Sequence, residues 1–247
     1  MTGHRSAQER RLYWPDCHNV RDLGGLRTAD GCHVRPGALV RADDLGRLTP
    51  AGFKVMDGYG IRRVIDLRAS WEIARNPSPF AADAVYRWAP LIDEQADRDR
   101  DLVAEATLAA TYRGSVGRNA RNIAAAIAAI ADAPSGGVLV YCSAGKDRTG
   151  MIVALALRAA DVRLDDVVAD YAFTSDCLRE HFDAQLALVT DPVERETRRG
   201  QQSSPPTAIA GMLQHVEDAY GGVTEYLRAH GVSREQIITL RRRLRTG

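Results

Sequence analysis

The sequence predicts an α/β fold, a single domain with a central, mainly parallel sheet flanked by helices, spanning residues 1–247. Three observations predict it. Short β-branched apolar runs alternate with segments of helical period, the pattern of strand–helix–strand units. Breaker clusters such as Pro134-Ser-Gly-Gly137 separate the two kinds of segment. The composition, 45% hydrophobic and 26% charged, is that of a globular chain long enough to bury a large core.

The elements follow in order. Gly31 to Gly37 reads as a turn region entering a short strand, Ala38 to Arg41. Leu48 to Met56 is a helix with Thr49 as N-cap and Pro50 at the first helical position. Arg63 to Arg68 is a buried strand, and Val85 to Trp88 a further strand ending before Pro90. Ala120 to Ala131 places Ile123, Ile127 and Ile130 at helical spacing within an alanine-rich filling. Val138 to Tyr141 is a strand, followed by helices from about Arg148 to Ala160 and Leu164 to Phe173. Residues 1–12 read as flexible, and the polar, breaker-rich stretch 191–207 as a mobile loop or lid. Ser233 to Gln236 is a capping box opening a last helix that carries Ile237, Leu240 and Leu244.

With 33 basic and 32 acidic residues, the net charge of +1 gives no general attraction to nucleic acid or an anionic membrane. Any bound anion must be held by local groups. No stretch approaches the ~20 apolar residues of a membrane span. The N-terminus has no apolar core of a secretory signal, and four scattered cysteines form neither a disulfide framework nor a zinc site. The expected setting is the cytoplasm, with no cofactor and no metal. Oligomeric state is not legible.

The stretch V-L-V-Y-C-S-A-G-K-D-R-T-G, Val138 to Gly150, carries the chemistry. A thiol acts as a nucleophile only when ionised, and an unperturbed thiol is about 3% ionised at pH 7. A helix N-terminus and nearby cations favour the thiolate. Cys142 has both close by: the helix start, Lys146 and Arg148. Ser143, Ala144 and Gly145 form a tight turn whose N–H groups can ring an anion, with Lys146 and Thr149 completing the binding set. Arg148 offers a planar fork to two phosphate oxygens. Nucleophile, cradle and clamp together point to attack on a phosphate ester. A buried, inert cysteine before a polar turn is the competing reading of Cys142 alone.

In this loop the chain resembles the cysteine-dependent phosphatases, most closely the bacterial tyrosine-phosphatase branch that includes a mycobacterial enzyme of dual protein and phosphoinositide activity. The loop looks like that branch's H-C-x-x-G-K-D-R-T-G. Asn19-Val-Arg-Asp-Leu-Gly-Gly25, Leu39 to Asp44, Gly60 to Arg68 with Glu72, Asp170 to Ser175 and the Tyr226 to Ile237 ending look like its other blocks. One departure is Tyr141, where the branch has a histidine that braces the loop. The resemblance implies a cysteine-phosphatase-like fold and a phosphocysteine on Cys142. It also implies that Arg148 holds the equatorial oxygens and that Thr149 hydrogen-bonds the sulfur.

The leaving oxygen needs a proton donor. The resemblance points to Asp147, and Asp93, after the Val85 strand, is the alternative. Trp14-Pro-Asp16 spells an acid-loop motif but stands far ahead of Cys142 and reads as chance. Asp22, Arg68, Glu72 and Arg21 are expected to fix loops by ion pairs, and Arg241 to Arg243 with Arg245 to form a solvated helix face. Cys17, Cys32 and Cys177 carry no legible role. The expected activity is hydrolysis of phosphomonoesters, phosphotyrosine first. The alternatives are a small phosphorylated metabolite (a phosphoinositide or nucleotide), or a phosphate-binding module without turnover.

Overall fold

Among the described residues, five strands form one sheet in the order β1-β2-β5-β3-β4: Arg21–Asp22, Leu39–Ala42, Gly137–Tyr141, Ile61–Asp66 and Tyr86–Trp88. The structure, a computed structural model, describes residues 4–246. All pairings are parallel except β1 with β2. The helices are α1 (Pro50–Gly58), α2 (Ser70–Arg75), α3 (Glu94–Arg98), α4 (Leu108–Arg118), α5 (Ala120–Ala131) and α6 (Asp147–Ala159), followed by α7 (Leu164–Ala172), α8 (Thr174–Ala187), α9 (Pro192–Gln202), α10 (Pro206–Tyr220), α11 (Val223–Ala229) and α12 (Arg234–Leu244).

Because successive strand side chains point to opposite faces, β5 serves two cores at once. Val138, Val140 and, just beyond the strand, Cys142 join the larger core with α5, α6 and α12. Leu139 and Tyr141 join the smaller one with Trp14 and Met56 of α1. A strand covered on both faces has no reason to alternate, hence the unbroken V-L-V-Y.

The expected caps are in place. Thr49 accepts from the Gly52 N–H, and Ser233 and Gln236 form the capping box of α12. Register brings Ala42, Tyr141 and Asp66 side by side at the carboxyl edge of the sheet. The next residues of all three strands therefore converge there: Asp43 and Asp44, Cys142, and Arg68.

Two expectations need correction. The stretch 191–207 is helical over most of its length: α9, a short turn, then the start of α10. Pro192 and Pro206 each stand at a first helical position, where a missing N–H costs nothing, and the Asp191 side chain caps α9. Pairs at helical spacing, Glu194–Arg198 and Glu196–Arg199, join its exposed turns. Residues 4–12 are not a loose tail either. Arg10 is buried, and the Leu12 N–H donates to Val20 O at 2.9 Å. The remainder of that expectation, residues 1–3, lies outside the described residues.

Candidate active site

Cys142 lies directly beyond β5, buried, and α6 begins at Asp147. Between them the chain turns through Gly145, whose φ of 64° is left-handed. A Cβ there would stand 2.3 Å from Ala42 O, so a side chain fits neither the turn nor the space.

The loop's carbonyls are all spoken for on one side. Ser143 O accepts from the Asp44 N–H at 2.9 Å. Asn19 Nδ2 donates to Ala144 O at 2.9 Å and to Gly145 O at 3.1 Å. Arg41 Nη2 donates to Gly145 O at 2.6 Å and to Lys146 O at 3.4 Å. In a trans peptide the N–H points opposite its C=O. The N–H groups of Ala144, Gly145, Lys146 and Asp147 are thereby turned to the other side. No backbone N–H from Ser143 to Thr149 donates to another group among the described residues. Such a row at a helix start is a ready anion site.

Arg41 is anchored in turn. Its Nη1 meets Asp170 Oδ2 at 2.9 Å, and Arg10 and Arg21 meet Asp170 Oδ1 at 2.7 and 3.0 Å. All four side chains are buried. Burial alone would push the Asp170 carboxyl up, but the three guanidinium groups hold it far below the usual carboxylate range. A carboxyl depressed in the fold stabilises above its unfolded pKa of ~3.9, and that stability is lost only as pH falls through the folded value. Asp170 therefore stays ionised well into the acid range. Asp170→Asn leaves three buried cations without their counter-charge, and the expected loss is about 3–5 kcal/mol, read from urea unfolding at neutral pH. A loss under about 1 kcal/mol would contradict this account.

Arg148 is held by the opposite partner. Both its Nη atoms donate to Glu72, Nη2 to Oε1 at 2.9 Å, and Glu72 Oε2 also accepts from the Ala69 N–H at 2.8 Å. Burial works to lower the Arg148 pKa, but Glu72 and the neighbouring Cys142 outweigh it and hold it above its ordinary value. Arg68 forks onto Asp66 and reaches Asp44, so the expected ion pairs of Glu72 and Arg68 form, and Arg21 pairs with Asp170. Asp22 pairs with Arg5 and accepts from Tyr59 Oη at 2.8 Å.

Tyr141 faces away from Cys142, as strand alternation requires. Its hydroxyl donates to Asp66 Oδ2 at 2.6 Å and meets Ser78 Oγ at 2.9 Å, and the Arg68 guanidinium lies 5.2 Å from its ring centre. It braces the platform under the sheet edge. Tyr141→Phe is expected to cost about 1–2 kcal/mol in denaturant unfolding through the lost bond to Asp66, while iodoacetamide alkylates Cys142 at an unchanged rate. A changed alkylation rate would tie Tyr141 to the thiol instead.

Asp147 projects at the helix start. Tyr112 Oη donates to its Oδ1 at 2.5 Å, and Tyr171 Oη lies 2.9 Å from Tyr112 Oη. Burial first, then Asp147, pushes the Tyr112 hydroxyl pKa far up, so it remains a donor. Gly150 is where α6 passes Tyr171, whose ring would lie 2.9 Å from an added Cβ. Lys146 Nζ is fully engaged: Gln201 O at 2.7 Å, Ser203 O at 2.9 Å and Asp147 Oδ1 at 3.1 Å. It ties the end of α9 to the loop. The Thr149 hydroxyl is buried and has no partner among the described residues, so the expected bond to sulfur is not formed here.

Asp93 stands elsewhere. Its carboxylate caps α3, accepting from the Gln95 and Ala96 N–H groups. Asp16 is exposed in the entry to the domain, beside a buried Trp14. The sequence reading missed Asn19 and Arg41 as holders of the loop carbonyls, and Tyr112 beside Asp147. A usable signal existed for Arg41: a charge inside an apolar strand is costly unless paired, so it implies a buried partner. Burial pushes the Cys17 thiol up to about 12 and raises that of Cys177, which leaves both poor partners for exchange.

Strand, anion loop, helix and buried cysteine define a cysteine-dependent phosphatase. Residues 12–246 match the tyrosine phosphatase family. The chain is 29% identical to the triple specificity protein phosphatase PtpB of Mycobacterium tuberculosis, over 92% of its own length and 96% of that protein. It is 30% identical to a tyrosine-protein phosphatase of Nostoc commune, over 84% of its length and 74% of that protein. The chain belongs to the tyrosine phosphatase family. It is an enzyme, a tyrosine-phosphatase-like hydrolase of phosphate esters that works through a cysteine and without metal ions. No helix among the described residues is long and apolar enough to cross a membrane.

Proposed function

We propose that Cys142 is the nucleophile, Arg148 the clamp and Asp147 the general acid in hydrolysis of phosphotyrosine on proteins. The row of four loop N–H groups turned inward by Asn19, Arg41 and Asp44 carries the reading. The Cys142 thiolate forms the S–P bond while the ester P–O bond breaks, and Asp147 gives its proton to the leaving oxygen. Water then attacks phosphorus, giving its proton to Asp147, and the S–P bond breaks to return the thiolate and free phosphate. The loop N–H groups and Arg148, once turned from Glu72 to the substrate, offset the charge of both steps. Ser143, Ala144, Gly145, Lys146 and Thr149 supply the loop around the phosphate. Asp93, already spent as a helix cap, is the weaker acid candidate.

Lys146 would favour a multiply anionic substrate only if it let go of Gln201, Ser203 and Asp147, and this supports a monoester over a phosphoinositide. The metabolite reading draws on the enclosure of Cys142, which is 2% exposed beneath its surroundings. We place α9 as a cover over the loop and the enzyme in the cytoplasm, where unpaired cysteines persist. Turnover of phosphotyrosine peptide is expected to exceed that of a soluble inositol phosphate at least tenfold in kcat/KM, to be blocked by vanadate and to survive EDTA. A reversed preference would transfer the assignment to a metabolite.

A further inference from the structure

The arginine-rich end of the chain does more than face solvent. Arg242 and Arg243 of α12, with Arg35, line a recess of ≈ 550 Å³ alongside Gly37, Tyr59 and Ser135. It lies at the amino edge of the sheet, since Gly137 opens β5 there. The length of β5 separates it from Cys142 by about 16 Å, at ~3.3 Å per residue.

Basic residues in the last turn of a helix are ordinary, because they face its negative end. Their convergence on one recess without counter-charge is not. No described carboxylate lines it. Arg35 donates to Arg245 O at 2.9 Å, and Arg243 to Gly136 O at 3.0 Å and Pro134 O at 3.1 Å. Carbonyls orient these guanidinium groups and leave their charge standing. Arg242 makes no ion pair among the described residues. Asp22, behind Tyr59, is buried and already taken by Tyr59 and Arg5. Arg243 Nε is buried with no partner among the described residues, and burial draws the pKa of that side chain below its ordinary value. A neighbouring recess shares Arg35 and Arg242 with this one, and its other two arginines, Arg241 and Arg245, pair with Asp161 and Asp30.

We propose that the Arg35–Arg242–Arg243 recess is a second anion site, separate from the Cys142 loop, for a ligand bearing more than one phosphate. Guanidinium forks match phosphate oxygens in pairs, and those of Arg35 and Arg242, with the added charge of Arg243 on its carbonyls, suit two or more phosphoryl groups. The volume is that of a small-molecule pocket and exceeds what a single phosphate fills. With a net charge of +1, the attraction is local to this face. The ligand is either a free polyphosphorylated molecule or the headgroup of a phosphorylated lipid.

The test titrates sodium pyrophosphate into the full chain by calorimetry with vanadate present to fill the loop. The comparison is with the double variant Arg35→Ala Arg242→Ala and with Arg242→Lys. Wild type is expected to bind one pyrophosphate, and the double variant about tenfold or more weakly, since hydrogen bonds between charged groups are worth that much. Arg242→Lys should recover part of the loss, which a folding defect would not allow, and an unchanged thermal midpoint checks the fold of each variant. Co-flotation with vesicles containing a phosphorylated phosphatidylinositol, lost in the double variant, would identify the lipid source. Binding of pyrophosphate without flotation would identify the free one. Absence of binding to the vanadate-loaded chain, or equal binding by the double variant, would overturn the proposal.

Discussion

Cys142→Ser is expected to lower turnover of p-nitrophenyl phosphate by at least ~10⁴-fold, as loss of a nucleophile does in other covalent enzymes. The serine hydroxyl is isosteric but hardly ionised at neutral pH. The loop loses nothing else. Its carbonyls stay on Asn19, Arg41 and the Asp44 N–H, and Arg148 stays on Glu72. Phosphotyrosine peptide should therefore still bind the variant, with a calorimetric Kd within about threefold of the wild-type KM. A variant that still hydrolyses would rule out the covalent step. One that neither hydrolyses nor binds would mean that the thiolate itself holds the loop open.

Asp147→Asn is expected to separate substrates by leaving group. An alkyl or phenyl phosphate needs the proton in the transition state, and a general acid typically contributes ~10²–10⁴-fold. p-Nitrophenolate departs largely unaided, so its rate should fall far less. The amide still accepts from Tyr112, so the local geometry survives. Asp93→Asn should leave both substrates near wild type, because its carboxylate caps α3. If selectivity for leaving group moved with Asp93, the acid would belong to the segment after β4. An equal fall on both substrates would make Asp147 a brace of the loop.

Much of this was open to the sequence because it is written locally. Thr49-Pro50 and Ser233 to Gln236 state helix starts in two and four residues, and the structure places both caps as expected. The isoleucines of α5 repeat at helical spacing, and all three are buried. The stretch 191–207 misled because proline was read as a breaker, while Pro192 and Pro206 start helices. Composition does not distinguish the two uses; the preceding Asp191 does for α9.

By itself the sequence determined a cysteine after a buried strand, a glycine-bearing turn and an arginine at a helix start, which is the chemistry of the site in thirteen consecutive residues. Only the tertiary structure decided how that chemistry is held. The loop's carbonyls are turned by Asn19 and Arg41, which lie 125 and 104 residues from the atoms they bind. Arg148 rests on Glu72, and Lys146 points to the end of α9 rather than into the cradle. Tyr141, one residue from Cys142, serves the other face. Such partners have no fixed spacing, because a buried charge accepts any counter-charge that the fold brings within reach.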